Sequence, residues 1–172
     1  MIYPKGTPTQ SEVIAIALSK LCLKQEDVFL DIGCGSASVA IKASPFVKQV
    51  YAIDDRDEAI QAASENLKGI PNAKVLRGEA SELLDCIEGD CAFLGGSRNL
   101  EKVLGILMRK IPRFVVSAIR IEIAALALEI LKKNHKLREV LQIYILRGKE
   151  LSGGTMLRCE NPVFIIVGGE EC

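Results

Sequence analysis

Val28-Phe-Leu-Asp-Ile-Gly-Cys-Gly-Ser-Ala-Ser38 is the stretch that decides the reading of this chain. Val28 to Asp31 read as the end of a buried strand, the strand breaks at Gly33 and Gly35, and a helical pattern starts at Ser36. A strand, a glycine turn and a helix N-terminus in so short a span make a cradle for a nucleotide cofactor. The glycines let the backbone turn tightly and approach a ligand closely, because neither carries a Cβ. Asp31, standing before the first glycine, would repel a pyrophosphate; a ligand with an amino group or a sulfonium would not be repelled. The stretch therefore points to S-adenosylmethionine, and the dehydrogenase fingerprint is incomplete because its last glycine position holds Ser38.

Working outward, residues 1–8 hold Pro4, Gly6 and Pro8 and read as an irregular arm. Thr9-Gln-Ser-Glu12 fits a capping box with Thr9 as N-cap, followed by a helix whose stripe is Ile14, Ala17, Leu18 and Leu21. Beyond the glycine turn, the spacing predicts a helix over 36–44 that stops at Pro45, then a strand over 48–53 ending on Asp54 and Asp55. Asp54 follows the glycines by about 20 residues, the separation that puts a carboxylate where it can accept both hydroxyls of a ribose. The competing role for Asp54, Asp55 or Asp57 is to cap the next helix, 57–67, which Gly69 closes. A strand over 73–77 leads to Gly78-Glu79-Ala80, a turn at the same sheet edge, where an adenine would lie.

Strand 91–94 then ends on Gly95-Gly96-Ser97, and helix 99–110, strand 113–117 and helix 121–134 follow. The close is different: strands over 137–147 and 161–167 have only a loop, 148–160, between them, so they must pair antiparallel. The expected architecture is α/β, a Rossmann-like seven-stranded sheet of the class I methyltransferase type. It is mostly parallel, with an antiparallel C-terminal hairpin, in one domain over 1–172.

Composition narrows the function classes. With 22 basic and 22 acidic residues the chain lacks the charge for a broad nucleic-acid face. Six scattered cysteines and one histidine give no zinc constellation, and cysteines in apolar runs fit a reduced, cytoplasmic protein. The N-terminus lacks the apolar core of a signal peptide, and runs such as 121–131 are too short to span a bilayer. No Asn/Asp-Pro-Pro-Tyr/Phe follows the fourth strand, as an exocyclic-amine methyltransferase would need, and no Pro-Cys pair offers a nucleophile. Cys34 is held in the cofactor turn itself, and the cations Lys132, Lys133, Lys136 and Arg138 suit a solvated helix end.

The chain resembles the decarboxylating cobalt-precorrin C15-methyltransferases of cobalamin biosynthesis over nearly its whole length. The resemblance rests on Gly6-Thr-Pro-Thr-Gln-Ser-Glu12, Asp31-Ile-Gly-Cys-Gly-Ser36, Val50-Tyr-Ala-Ile-Asp54 and Gly78-Glu-Ala80. More particular are Gly95-Gly-Ser97, Arg147-Gly148, Gly154-Thr-Met156 and Asn161-Pro-Val163. It implies S-adenosylmethionine as donor, a tetrapyrrole acceptor and a homotetramer; from the charge balance and the short apolar runs, no nucleic acid and no membrane are expected as partners. It also implies cofactor contacts at Thr9, at Gly33, Cys34, Gly35, Ser36 and Ala37, at Asp54 and at Ala80. Asp31 and Glu79 join them from the turns they stand in. Where the family usually has a third glycine this chain has Ala37. A polycarboxylate calls for cations and backbone donors, which nominates Arg98, Arg120 and Arg147 around a floor of Gly95, Gly96 and Ser97. No general acid or base stands out. The alternatives are an RNA or protein methyltransferase, or a non-catalytic S-adenosylmethionine-binding subunit, on the same fold.

Overall fold

In the computed structural model, which describes residues 1–4, 8–96 and 98–171, strands and helices alternate through the first two thirds of the chain. The elements there are α1 (Ser11–Leu21), β1 (Val28–Ile32), α2 (Ser38–Ala43), β2 (Gln49–Asp54), α3 (Asp57–Asn66), β3 (Ala73–Arg77) and α4 (Ala80–Leu83). They continue with β4 (Cys91–Leu94), α5 (Leu100–Lys110), β5 (Arg113–Ala118) and α6 (Ile121–Lys133). Four strands close the chain: β6 (Leu137–Ile143), β7 (Leu146–Leu151), β8 (Gly154–Cys159) and β9 (Val163–Gly169). One seven-stranded sheet runs in the order β3-β2-β1-β4-β5-β9-β6. Its first five strands are parallel, while β9 is antiparallel to both β5 and β6. The expected class I methyltransferase sheet is therefore present.

Alternation along each strand sorts the core into two layers. Phe29, Phe93, Val115 and Ile165 face α1 and α2, and pack on Val13, Ala17, Leu21, Val39 and Ala40. Leu30, Leu94, Phe114, Val116 and Ile166 face α5 and α6, and pack on Leu104, Leu107, Ala127 and Leu131. The N-terminal ends of the strands carry a buried ion pair. Arg113 Nη2 donates to Asp27 Oδ1 and Oδ2 at 2.8 Å, and Nη1 donates to the carbonyl oxygens of Leu21 and Cys22 at 2.8 and 2.5 Å.

Three local readings are corrected. Thr9 does not cap α1: Gln10 holds the N-cap position, no side-chain cap bond is made, and Glu12 turns instead to Arg147. α2 begins at Ser38 and not at Ser36, because Gly35 (φ 53°) and Ala37 (φ 59°) take left-handed conformations that delay the helix. No aspartate caps α3, whose N-cap position is Arg56; Asp55 pairs with Arg98, and Asp57 with Arg77 at 2.7 Å.

The largest correction concerns 148–160, expected as a loop. It forms a separate antiparallel hairpin of β7 on β8, turned by Ser152 (φ 49°) and Gly153 (φ 78°). Two consecutive residues at positive φ make the tight turn whose twist matches the strands it joins. Every residue of the two strands is exposed.

Candidate active site

The chain leaves β1, crosses to β2 and β3, and returns to β4 beside β1, so the carboxyl ends of β1 and β4 flank a topological switch point. The turns after these strands touch backbone to backbone. Gly33 takes φ +73°, and a Cβ there would lie 2.6 Å from Gly96 N and 2.9 Å from Gly96 Cα. Gly33 N–H and Cys34 N–H both donate to Ile53 O (2.8 and 3.0 Å), Gly95 N–H donates to Ile32 O (2.8 Å) and Gly78 N–H to Asp54 O (3.0 Å). Four turns are thereby stitched into one rim.

Two cavities open on this rim, each about 390 Å³, a size suited to a small molecule (roughly 300–1,000 Å³). The first is lined by Gly33, Cys34, Gly35 and Ser36, by Asp54, and by Gly78, Glu79 and Ala80. The second lies over β5 and the loop before β9, lined by Gln10, Ser117, Arg120, Ile123, Glu160 and Asn161. Pro8, Thr9, Gly95 and Gly96 line both, and form the strip between them.

The nominated residues are distributed over both cavities and the space around them. Thr9 sits on the dividing strip, Arg120 in the second cavity, and Arg98 at the first, where its guanidinium pairs with Asp55. Arg98 thus borders the first cavity and not the second. Ser97 lies outside the described residues.

Arg147 lines neither cavity. It donates two bonds to Glu12, 3.0 Å each, and ties the root of the β7–β8 hairpin to α1. That paired guanidinium holds the Glu12 carboxyl down at about 2.

Asp31 and Ala37 stand behind the wall of the first cavity. Asp31 is 1% exposed; its Oδ2 accepts Ala40 N–H at 2.9 Å, an otherwise open donor in the first turn of α2. Its Oδ1 has no hydrogen-bond partner, and burial pushes the carboxyl up to about 7 against the pull of Ala40 N–H, with the Asp54 charge adding to the rise. Asp31 therefore braces the glycine turn from behind and is not part of the cavity lining. Burial likewise raises the Cys34 thiol, which has no nucleophilic character in this turn.

Asp54 is saturated. Oδ1 accepts Arg56 N–H (3.1 Å) and Nε (3.0 Å); Oδ2 accepts Gly35 N–H (3.0 Å) and Arg56 Nη2 (3.0 Å). Burial acts to raise this carboxyl, but the Arg56 side chain and the two N–H donors together outweigh it and hold the group below its usual range. Glu79 complements it: one oxygen accepts the Ser81 hydroxyl, which lowers its pKa, and the buried Oε1 is unpartnered. A buried acceptor without a donor is what an exocyclic amine would complete.

Sequence reasoning missed Tyr3, Pro4 and Arg56 in the first cavity, and Gln10 and Glu160 in the second. Arg56 had a signal in retrospect, as a cation two residues after a ribose-type acid. The others belong to irregular segments that carry no period to read.

With this geometry in hand, comparison with known proteins is direct. The model of the precorrin methyltransferase domain matches residues 3–168. This chain belongs to the precorrin methyltransferase family. A probable cobalt-precorrin-6B C(15)-methyltransferase (decarboxylating) of Methanosarcina acetivorans is 45% identical over 99% of this chain and 98% of its own length. Among solved structures, precorrin 8W decarboxylase of Methanobacterium thermoautotrophicum superposes with a TM-score of 0.89 at 32% identity, covering 98% of this chain and 100% of that one. A precorrin-6y C5,15-methyltransferase of Geobacter metallireducens gives 0.90 at 30% identity, over 98% and 93%. The precorrin methyltransferase described here has, among its described residues, no cluster able to hold a metal ion, and no helix long and apolar enough to cross a membrane.

Proposed function

We propose that this enzyme transfers the methyl of S-adenosylmethionine to C15 of a cobalt-precorrin and decarboxylates the C12 acetate, in cobalamin biosynthesis. The observation that carries the reading is the pair of cavities that share, among the described residues, the lining residues Pro8, Thr9, Gly95 and Gly96. A donor laid along the first cavity presents its sulfonium end at the strip, and an acceptor in the second meets it there.

The first cavity's residues fit the donor. The glycine turn admits close backbone approach, the unpartnered Glu79 Oε1 suits the adenine amine, and Asp54 suits the ribose. Because Asp54 already accepts four bonds, a ribose there requires the Arg56 side chain to turn outward, and its 43% exposure gives it room. S-adenosylmethionine supplies an already activated methyl, so the protein's part is alignment.

The second cavity suits a polycarboxylate. The N-terminal ends of α1 and α6 border it through Gln10 and Arg120, and among the described residues no side chain caps either helix. Their open N–H groups and the Arg120 charge favour anions. The ring carbon attacks the methyl as its bond to sulfur breaks. Carbon dioxide then leaves the acetate, its electron pair passes into the conjugated ring, and a proton completes the remaining methyl group. Incubation with S-adenosylmethionine and a cobalt-precorrin, read by mass spectrometry, should show one methyl gained and one carbon dioxide lost. A methyl gain alone removes the decarboxylation; modification of RNA or protein substrates instead would replace the reading.

We also infer self-association through the β7–β8 hairpin, in keeping with the tetramer implied by the family. Leu146, Leu151, Met156 and Leu157 are 42–63% exposed along it, an apolar load that a lone hairpin does not carry in water. Leu146→Glu with Leu157→Glu should reduce the sedimenting mass to that of a smaller species. An unchanged mass would place the interface elsewhere.

A further inference from the structure

Asn66, the last residue of α3, does something its place in an amphipathic helix does not require. Its Nδ2 donates to Ser36 O (3.0 Å), inside the glycine turn, and to Ile2 O (2.7 Å), and its Oδ1 accepts Ile2 N–H (2.8 Å). One carboxamide thus serves both backbone groups of Ile2, as a neighbouring strand would. Among the described residues no other side chain hydrogen-bonds residues 1–4. The next two residues, Tyr3 and Pro4, line the first cavity together with the turns after β1, β2 and β3.

We propose that Asn66 is a positioning residue for the cofactor: it clamps the chain at Ile2 to the glycine turn at Ser36, and so holds Tyr3 and Pro4 as a wall of the cofactor cleft. The proposal rests on the assignment of that cleft to S-adenosylmethionine. Ile2 and Tyr3 are 54% and 56% exposed, so burial alone fixes them weakly. Without the carboxamide, a ligand would have to order this segment itself, at a cost drawn from its affinity. The same amide orients the Ser36 carbonyl, which couples wall and turn.

The test compares wild type with Asn66→Ala, Tyr3→Ala and the double variant. Calorimetric titration with S-adenosylhomocysteine is paired with kcat and KM for S-adenosylmethionine. Each single change should weaken binding and raise KM by roughly three- to tenfold, as expected for losing one or two modest contacts, while kcat stays within about twofold. The double variant should be no weaker than the weaker single, because both act through one wall. Losses that multiply, a fall in kcat with KM unchanged, or unchanged affinity in Tyr3→Ala would each overturn the clamp. Tyr3 is exposed, so that variant decides the matter even where Asn66→Ala fails to fold. If wild type binds neither S-adenosylmethionine nor S-adenosylhomocysteine, the cofactor assignment itself falls.

Discussion

Gly33→Ala is expected to abolish measurable binding of S-adenosylhomocysteine, a loss of at least about 100-fold. Two independent costs combine at this position. The φ of +73° is a conformation that costs an L-residue about 1–2 kcal/mol. The added Cβ would also meet Gly96 N at 2.6 Å and Gly96 Cα at 2.9 Å, and both are backbone atoms that cannot rotate away. Either the turn after β1 or the turn after β4 must move, and Gly96 lines both cavities. Displacing catalytic elements by even an ångström has large effects on rate. Gly35→Ala is the control: it shares a positive φ (+53°), but its nearest neighbour would be Arg56 Nη2 at 3.9 Å. It should lose far less. Near-equal affinities of Gly33→Ala and wild type would show that the two turns are not packed as described.

Arg113→Ala is expected to have the largest effect on stability, about 3–5 kcal/mol, the usual cost of removing one partner of a buried ion pair. The substitution strands the Asp27 carboxylate, 3% exposed, and removes the donor to the Leu21 and Cys22 carbonyls. Against a total stability of about 5–15 kcal/mol this is a large fraction. For a chain of this length the melting temperature should fall by about 10–15 °C. Calorimetry of the purified variant checks it, and a fall of under about 3 °C would refute the assignment. The pair lies at the opposite ends of the strands from the cavities, so a folded Arg113→Ala protein should retain its cofactor affinity at low temperature.

Much of the fold was legible because burial leaves a period. The strands β1, β2, β4 and β5 are buried along most of their length, and their apolar runs place them to within a residue. The cofactor turn was legible for another reason: Gly33, Gly35 and Asp54 answer to steric and charge demands that few other residues meet. Where burial stops, so did the reading. The β7–β8 hairpin is exposed throughout, so Arg147-Gly-Lys-Glu150 and Gly154-Thr-Met-Leu-Arg158 show no alternation. The available signal was Ser152-Gly153, a two-residue turn between extended segments. Arg147 was singled out as a substrate cation; the structure pairs it with Glu12, 135 residues away, and a single chain of letters does not report such pairs. Thr9 shows how weak a four-residue cap pattern is: it fits the first position of a capping box, yet sits one residue before the N-cap Gln10, on the strip between the cavities.

The position of β9 has a consequence for how the protein comes into being. This last strand of the chain is an interior strand of the sheet, inserted between β5 and β6, with Ile165 and Ile166 fully buried. Until the ribosome has released it, β5 presents an unsatisfied edge, and both faces of the apolar core lack a wall. The sheet closes only through pairings such as Val115 with Val167, which join distant parts of the chain and form slowly. The fold therefore cannot lock until β9 has left the ribosome, and until then the nascent chain carries an exposed, sticky strand edge.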